Sequence, residues 1–192
     1  MGIRVESQNT GVNKNVKVFE KKVLLLGDEY VGKTSLLNHF LDKDFESNYL
    51  NTLGVEVTKK DILIDDDTVI VLNIWDLSGR AVLASYRRHF FEETDGALLV
   101  FDLTRRKTLT ELINWNDHLQ SHSECSCCVL VGNKSDLETE RDVFKEEPKS
   151  YTVILNTMTV FETSAKTGEN VNDVFYLLAR SLYKKEKEKS NG

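Results

Sequence analysis

Eight residues near the start of the chain have the types and spacing of a phosphate-binding loop. They run from Gly27 to Thr34 and read Gly-Asp-Glu-Tyr-Val-Gly-Lys-Thr, which fits the pattern G-x-x-x-x-G-K-[ST]. The glycines of this pattern let the backbone wrap around an anion, so that successive N–H groups face it. Lys33 can then reach the β- and γ-phosphates, and the Thr34 hydroxyl can ligate Mg²⁺. The stretch therefore predicts a nucleotide-phosphate site.

The residues on either side give this loop the setting that it needs. Four apolar residues, 23–26, precede it and are typical of a buried parallel strand. A helix is predicted over 35–41, because its apolar residues at 36, 37, 40 and 41 lie one turn apart. The N-terminus of that helix adds its own N–H groups to the phosphate site.

Three further short motifs each follow a predicted strand. Asp76 ends an apolar run, and a carboxylate there could hold Mg²⁺, although an Asp after a strand is commonly a helix cap. Residues 133–136 read Asn-Lys-Ser-Asp, and an Asp in that place could accept two hydrogen bonds that guanine offers and adenine does not. Residues 164–166, Ser-Ala-Lys, could present a backbone N–H to the guanine O6. Ligands of α/β sheets bind at the carboxyl ends of the strands, so the motifs together predict one nucleotide site.

Extended apolar runs alternate with helical periodicity along the chain. The predicted strands are 18–26, 55–64, 69–75, 96–102, 127–132 and 159–163, and the predicted helices are 35–41, 81–91, 107–120, 148–157 and one from 171. Asp65-Asp66-Asp67 predicts a hairpin turn between the second and third strands, and 42–52 is predicted to be a polar loop. This order predicts an α/β fold, a doubly wound, mostly parallel six-stranded sheet flanked by about five helices.

Length and composition limit the alternatives. The chain has 192 residues, enough for one well-buried domain, and its net charge of −6 argues against general nucleic-acid binding. No apolar run approaches the roughly 20 residues that span a bilayer. We expect a flexible tail over 1–16, a single domain over 17–183, and a charged helix end or tail over 184–192.

The three cysteines, Cys125, Cys127 and Cys128, are crowded together. They are expected to be reduced thiols at the start of a buried strand. With His118 and His122 close by in the sequence, a zinc site is the less favoured alternative.

Taken together, the motifs resemble those of the small GTPases of the Ras superfamily, and most of all its Rab branch, over residues 18–183. The Rab loop G-D-S-G-V-G-K-T is similar to 27–34, and the segment T-I-G-V-E is similar to 52–56. Trp75-Asp76 with Gly79 resembles W-D-T-A-G-Q-E, and Phe90-Phe91 stand where Rabs often carry paired tyrosines. The resemblance implies a P-loop small G domain that binds GTP or GDP with Mg²⁺.

The resemblance also implies roles for particular residues. Phe45 falls where the family stacks an aromatic ring on the guanine, and Thr52 is where switch I senses Mg²⁺ and the γ-phosphate. The implied magnesium site comprises Thr34, Thr52 and Asp76, and the implied catalytic residues are Lys33, Thr52, Gly79 and Arg80. The implied nucleotide contacts are Glu29, Tyr30, Val31, Gly32, Lys33, Thr34, Ser35, Phe45, Thr52, Gly79, Asn133, Lys134, Asp136, Ser164, Ala165 and Lys166.

Three departures from the family pattern matter for catalysis and anchoring. Glu29 replaces the usual Gly or Ser, where a larger side chain tends to crowd the catalytic region. Arg80 replaces the Gln that orients the attacking water, and a guanidinium has donors only. No cysteine lies in 189–192, so this chain is expected to lack a prenyl anchor, unless it is cut from something longer.

Two classes of function fit these features. One is a hydrolysing switch, in which GTP orders two loops and hydrolysis releases them. The other is a nucleotide-bound interaction module without a hydrolytic cycle. The departures favour a switch with slow or impaired hydrolysis, Rab-like in membrane traffic or signalling. We expect a cytoplasmic monomer that reaches membranes peripherally, through its partners. Effectors, exchange factors and GTPase-activating proteins are expected to bind through about 45–60 and 76–91.

Overall fold

The computed structural model describes residues 16–42, 48–50, 55–77, 87–125 and 127–190. The strands are β1 (Lys17–Leu26), β2 (Asn48–Leu50), β3 (Val55–Asp65), β4 (Thr68–Leu77), β5 (Gly96–Asp102), β6 (Cys127–Asn133) and β7 (Val160–Thr163). The α-helices are α1 (Lys33–Phe40), α2 (Arg87–Phe91), α3 (Arg106–His122), α4 (Glu147–Ile154) and α5 (Val171–Ser190). A 3₁₀ helix, which the sequence did not predict, spans Ser135–Glu140.

All of these strands belong to one sheet, in the order β2-β3-β4-β1-β5-β6-β7. The five strands from β4 to β7 are parallel, and the β3–β4 hairpin that turns at Asp66-Asp67 is antiparallel. The predicted doubly wound, mostly parallel sheet with about five helices is confirmed. The prediction of a loop throughout 42–52 was wrong for Asn48–Leu50, which pairs with the edge of β3.

Hydrophobic residues pack on both faces of the sheet. Every residue of β5 and β6 is buried, as expected for central strands covered by helices on both sides. On one face α1 and α5 pack together, with the rings of Phe40 and Phe175 stacked 4.0 Å apart. The other face packs against residues of α2 and α3. The three cysteines are free and buried: Cys125 and Cys128 belong to this face, and Cys127 packs on the face of α1 and α5.

The ends of α4 and α5 follow the prediction to different degrees. The helix predicted to continue to about Thr157 ends at Ile154, because Asn156 adopts a left-handed conformation with φ of 50° and turns the chain towards β7. Pro148 lies in its first turn, where a missing N–H costs nothing. The last helix, α5, continues through the charged stretch 184–189 to Ser190.

The parallel arrangement brings the motifs to one rim of the sheet. Strands β1, β4, β5, β6 and β7 all point the same way, so their carboxyl ends lie along one rim. Asp76, near the end of β4, is on this rim together with the residues that follow Leu26, Asp102, Asn133 and Thr163.

Candidate nucleotide-binding site

The loop between β1 and α1 depends on two glycines with positive φ. Gly27 has φ of 143° and Gly32 has φ of 98°, a region in which a Cβ atom is sterically unfavourable. A Cβ at Gly27 would lie 2.0 Å from the carbonyl oxygen of Val100, and one at Gly32 would lie 2.3 Å from Nδ2 of Asn133. The glycines therefore let the loop lie directly against β5 and β6.

Lys33 lies inside this loop. Its ammonium group donates to the carbonyl oxygens of Gly27, at 2.8 Å, and Asp28, at 2.9 Å, and only 6 % of the residue is exposed. Burial lowers the pKa of Lys33, while the nearby carboxylate of Asp76 opposes that shift. A buried ammonium held by neutral carbonyls keeps a positive charge that is available to an anion.

Asp76 and Thr34 form a pair suited to a hard cation. The Thr34 hydroxyl donates to Oδ2 of Asp76, whereas Oδ1 of Asp76 is buried and has no hydrogen-bond partner. Burial raises the pKa of Asp76, and the Thr34 hydrogen bond and the charge of Lys33 act against the shift. An unpartnered carboxylate oxygen beside a hydroxyl is the donor set that Mg²⁺ prefers, so these residues fit that ion.

Asn133, at the end of β6, ties three loops together. It is buried, and its Nδ2 donates to the carbonyl of Val31 in the phosphate loop at 2.8 Å. Its Oδ1 accepts from the backbone N–H of Ala165 at 3.0 Å. One side chain thus sets the distance between the phosphate loop and the loop after β7.

Asp136 lies at the mouth of a cavity between these loops. Its Oδ1 accepts from the Ser164 hydroxyl at 2.6 Å, and the ammonium of Lys166 lies 3.9 Å from Oδ2. The cavity has a volume of about 460 Å³, and its lining includes Gly32, Ser35, Asn133, Lys134, Asp136, Ala165 and Lys166. The cavity therefore extends from the end of the phosphate loop to the two predicted base-recognition motifs.

An ion pair with Asp102 holds the side chain of Lys134 in place. It has φ of 72°, and its ammonium lies 2.7 Å from Oδ2 of Asp102, which is fully buried at the end of β5. Burial opposes ionisation of Asp102, but hydrogen bonds from Lys134, Thr104 and Arg105 outweigh it and hold its pKa below the ordinary value. Lys134 also lines the cavity.

The comparison with known families agrees with this geometry. A model of the Ras family matches residues 22–184. The chain belongs to the Ras family. Proteins of this family are small GTPases, so the phosphate loop and the cavity lie in a guanine-nucleotide-binding switch domain. The match begins within β1 and ends within α5, and thus includes every motif described above.

Several residues predicted for the site of this Ras-family chain fall outside the described part of the chain. They are Phe45, Thr52, Gly79 and Arg80. The other predicted contacts lie along the loop, at the start of α1 or around the cavity. Tyr30 is 75 % exposed and has φ of 62°, and Val31 is completely buried.

The sequence analysis missed two residues that hold the phosphate loop from outside, Arg105 and Trp115, and the carboxylate of Asp102 that anchors Arg105. Arg105 Nη2 donates to the carbonyl oxygen of Glu29 at 2.9 Å, and its Nε donates to Asp102. Trp115 Nε1 donates to Oδ1 of Asp28 at 3.1 Å. A carboxylate at the end of a fully apolar strand, such as Asp102, was the one sequence signal that could have identified this group.

Proposed function

We propose that this chain is a GTP/GDP switch whose base selectivity is set by Asp136. The observation that carries the proposal is the cavity that joins the loop around Lys33 to the carboxylate of Asp136. A carboxylate can accept from the N1–H and the 2-amino group of guanine together, whereas adenine offers no such pair. The hydrogen bond from Ser164 orients the carboxylate before any base is bound.

We propose that Mg²⁺ is held by Thr34 and, in the GTP state, by Thr52, with Asp76 acting through water. When bound, the ion neutralises charge on the phosphates. Lys33 would hold the same phosphates through its ammonium group, and the buried carboxylate of Asp76 fixes the direction of the Thr34 hydroxyl.

Base selectivity is tested by competition against a fluorescent GDP analogue. Wild-type protein should prefer GTP over ATP by several orders of magnitude, and Asp136→Asn should shift preference towards xanthosine triphosphate, because an amide offers a donor to the C2 oxygen. Asp173→Asn, an exposed carboxyl in the first turn of α5, is the matched control. Equal affinity of wild type for ATP and GTP would refute the proposal.

We also propose that the chain hydrolyses GTP slowly. The proposal of slow hydrolysis rests on Glu29 and Arg80. Glu29 lies in the phosphate loop, and the hydrogen bond from Arg105 to its carbonyl oxygen restrains that part of the loop. Arg80 lacks the acceptor that a glutamine offers to the attacking water. An Arg80–Glu29 ion pair would match well in geometry and would hold switch II away from that water.

A double-mutant cycle in single-turnover hydrolysis tests this proposal. Arg80→Gln alone should restore little, because Glu29 still obstructs the site. Glu29→Gly combined with Arg80→Gln should exceed the sum of the single effects. Additive effects, or a wild-type rate as fast as that of an ordinary family member, would refute the coupled block. Complete absence of hydrolysis in all four proteins would instead favour a nucleotide-bound interaction module.

The proposal of a Rab-like role rests on the surface through which the protein would bind its partners. The indole ring of Trp75 lies 6.3 Å from the ring of Phe90, and Val57 packs beside this cluster at half-buried positions of the β3–β4 hairpin. We propose that effectors and regulators bind through about 45–60 and 76–91, and that the domain spans 17–183 as a monomer. No helix in the described ranges is both long and apolar enough to cross a bilayer.

A further inference from the structure

Arg105, immediately before α3, forms two hydrogen bonds that link distant parts of the site. Its Nε donates to Oδ2 of Asp102 at 2.9 Å, and its Nη2 donates to the carbonyl oxygen of Glu29 at 2.9 Å. The guanidinium is planar and its donors have fixed directions, so the first bond orients the second. Asp102 is fully buried and also binds Lys134, which makes this anchor rigid.

The bond to Glu29 fixes one peptide unit of the phosphate loop. The chain has no cis peptide among its described residues, so the Glu29–Tyr30 peptide is trans and its C=O and N–H point in opposite directions. Arg105 binds the carbonyl from the side of α3. The N–H of Tyr30 therefore points away from the Arg105 guanidinium.

Tyr30 makes this restraint necessary. Its φ of 62° lies in the left-handed region, which is sterically unfavourable for a side chain of this size. A residue in such a conformation persists only where its surroundings hold it there. Tyr30 is 75 % exposed, so packing of its ring does not supply that restraint. The bond from Arg105 to the preceding carbonyl does.

We propose that Arg105 is a positioning residue for nucleotide binding, which holds the Glu29–Tyr30 peptide so that the Tyr30 N–H faces the β- and γ-phosphates. The inference rests on the proposed GTP/GDP function and adds a residue outside the loop to it. Trp115 supports the same arm of the loop through Asp28, one residue earlier. The orientation of the phosphate loop is thereby set by Arg105, which precedes α3, and by Trp115 within it.

Arg106 provides a matched control. It is the same residue type at the next position, but its Nε donates to Glu147 of α4, at 2.7 Å, and not to the phosphate loop. If the substitutions acted by removing a charge or a contact near the start of α3, Arg105→Ala and Arg106→Ala would weaken nucleotide binding alike. If the effect comes from losing the orientation of the Glu29–Tyr30 peptide, only Arg105→Ala would weaken it.

The test compares GDP with GMP in wild type, Arg105→Ala, Arg105→Lys and Arg106→Ala. Dissociation constants are measured by competition against fluorescent GDP, and thermal unfolding of each protein is recorded. Arg105→Ala should weaken GDP about tenfold, the effect of losing one charge-assisted hydrogen bond, and should leave GMP unchanged. Arg105→Lys keeps a charge for Asp102, so it should retain thermal stability while still weakening GDP.

Each outcome separates this inference from simple destabilisation and from failure of the proposed function. Equal weakening of GDP and GMP would mean that Arg105 acts only through the fold, and would overturn the inference. Equal effects of Arg105→Ala and Arg106→Ala would overturn it too. A wild-type protein that binds no guanine nucleotide would refute the proposed function itself, whereas tight wild-type binding with unaltered GDP affinity in Arg105→Ala would refute the positioning role alone.

Discussion

Replacing Asp76 by asparagine should change stability in opposite directions in the free and the loaded protein. In the free protein, the carboxylate is 5 % exposed, and its Oδ1 has no hydrogen-bond partner. An ionised group in that position is costly, because burial removes water that its charge would otherwise hold. Asparagine has the same shape, keeps an acceptor for the Thr34 hydroxyl and carries no charge.

The size of the effect follows from these contacts. Asparagine removes the free-energy cost of one buried, unpartnered charged oxygen, but it adds the smaller cost of an unpaired amide donor. The difference should stabilise the free protein by about 1 kcal/mol. With Mg²⁺ and GDP the sign reverses. Loss of an outer-sphere carboxylate weakens metal binding by about 10- to 100-fold, so the stabilisation by ligand should fall by about 1–3 kcal/mol.

The pH dependence gives a second check. Because burial raises the pKa of Asp76, the folded protein holds this proton more tightly than the unfolded chain does. The cost of Asp76 is complete above the raised pKa and decreases as the pH falls through it. Below the unfolded value of about 3.9, both states are protonated and the cost disappears. The advantage of asparagine in the free protein should therefore be largest at neutral pH and shrink towards pH 4.

The assay is thermal unfolding in excess EDTA without nucleotide, and again with Mg²⁺ and GDP. Asp61→Asn, an exposed carboxyl in the neighbouring strand β3, is the control and should change neither curve. If Asp76→Asn destabilised the free protein at neutral pH, Asp76 would not be an uncompensated buried charge. If Mg²⁺ and GDP stabilised Asp76→Asn by as much as they stabilise wild type, Asp76 would have no part in the magnesium site.

Three further substitutions test other contacts. Gly32→Ala should destabilise the protein by about 1–3 kcal/mol in urea unfolding, because φ is 98° and a Cβ would lie 2.3 Å from Nδ2 of Asn133. Thr34→Val keeps a β-branched shape but removes the hydroxyl, and should weaken GTP about tenfold or more in Mg²⁺ titrations, and GDP less. Arg141→Met should cost about 1–2 kcal/mol in urea unfolding, because it breaks the two bonds to Glu162 at 3.0 and 2.6 Å.

Lys149→Met is the matched control for Arg141→Met. It breaks an exposed ion pair with Glu146 at the start of α4 and should cost less than Arg141→Met, since exposed pairs contribute little. Equal losses of stability in the two variants would show that the bonds from Arg141 to Glu162 contribute no more than an exposed ion pair. Unchanged stability of Gly32→Ala would mean that the loop can move away from β6. Unchanged GTP affinity of Thr34→Val would remove its hydroxyl from the metal site.

Local patterns in the sequence were sufficient to predict most of the architecture. Strands β5 and β6 are apolar up to their last residues, which only a strand covered on both faces can tolerate, and α5 carries its buried residues at helical spacing. The phosphate loop was predictable for the same reason, because its glycines, Lys33 and Thr34 act within eight consecutive residues.

Contacts that depend on which strands are neighbours were decided by the tertiary structure alone. The bond from Asn133 to Val31 joins residues 102 positions apart, and the bond from Arg105 to Glu29 joins residues 76 positions apart. Neither side chain has a local pattern that indicates its partner. The short strand β2 was missed likewise, because its pairing depends on backbone hydrogen bonds to the edge of β3 and not on an apolar repeat. Sequence periodicity reports which face of an element is buried, whereas the order of β1, β5 and β6 determines which polar side chains meet at the rim.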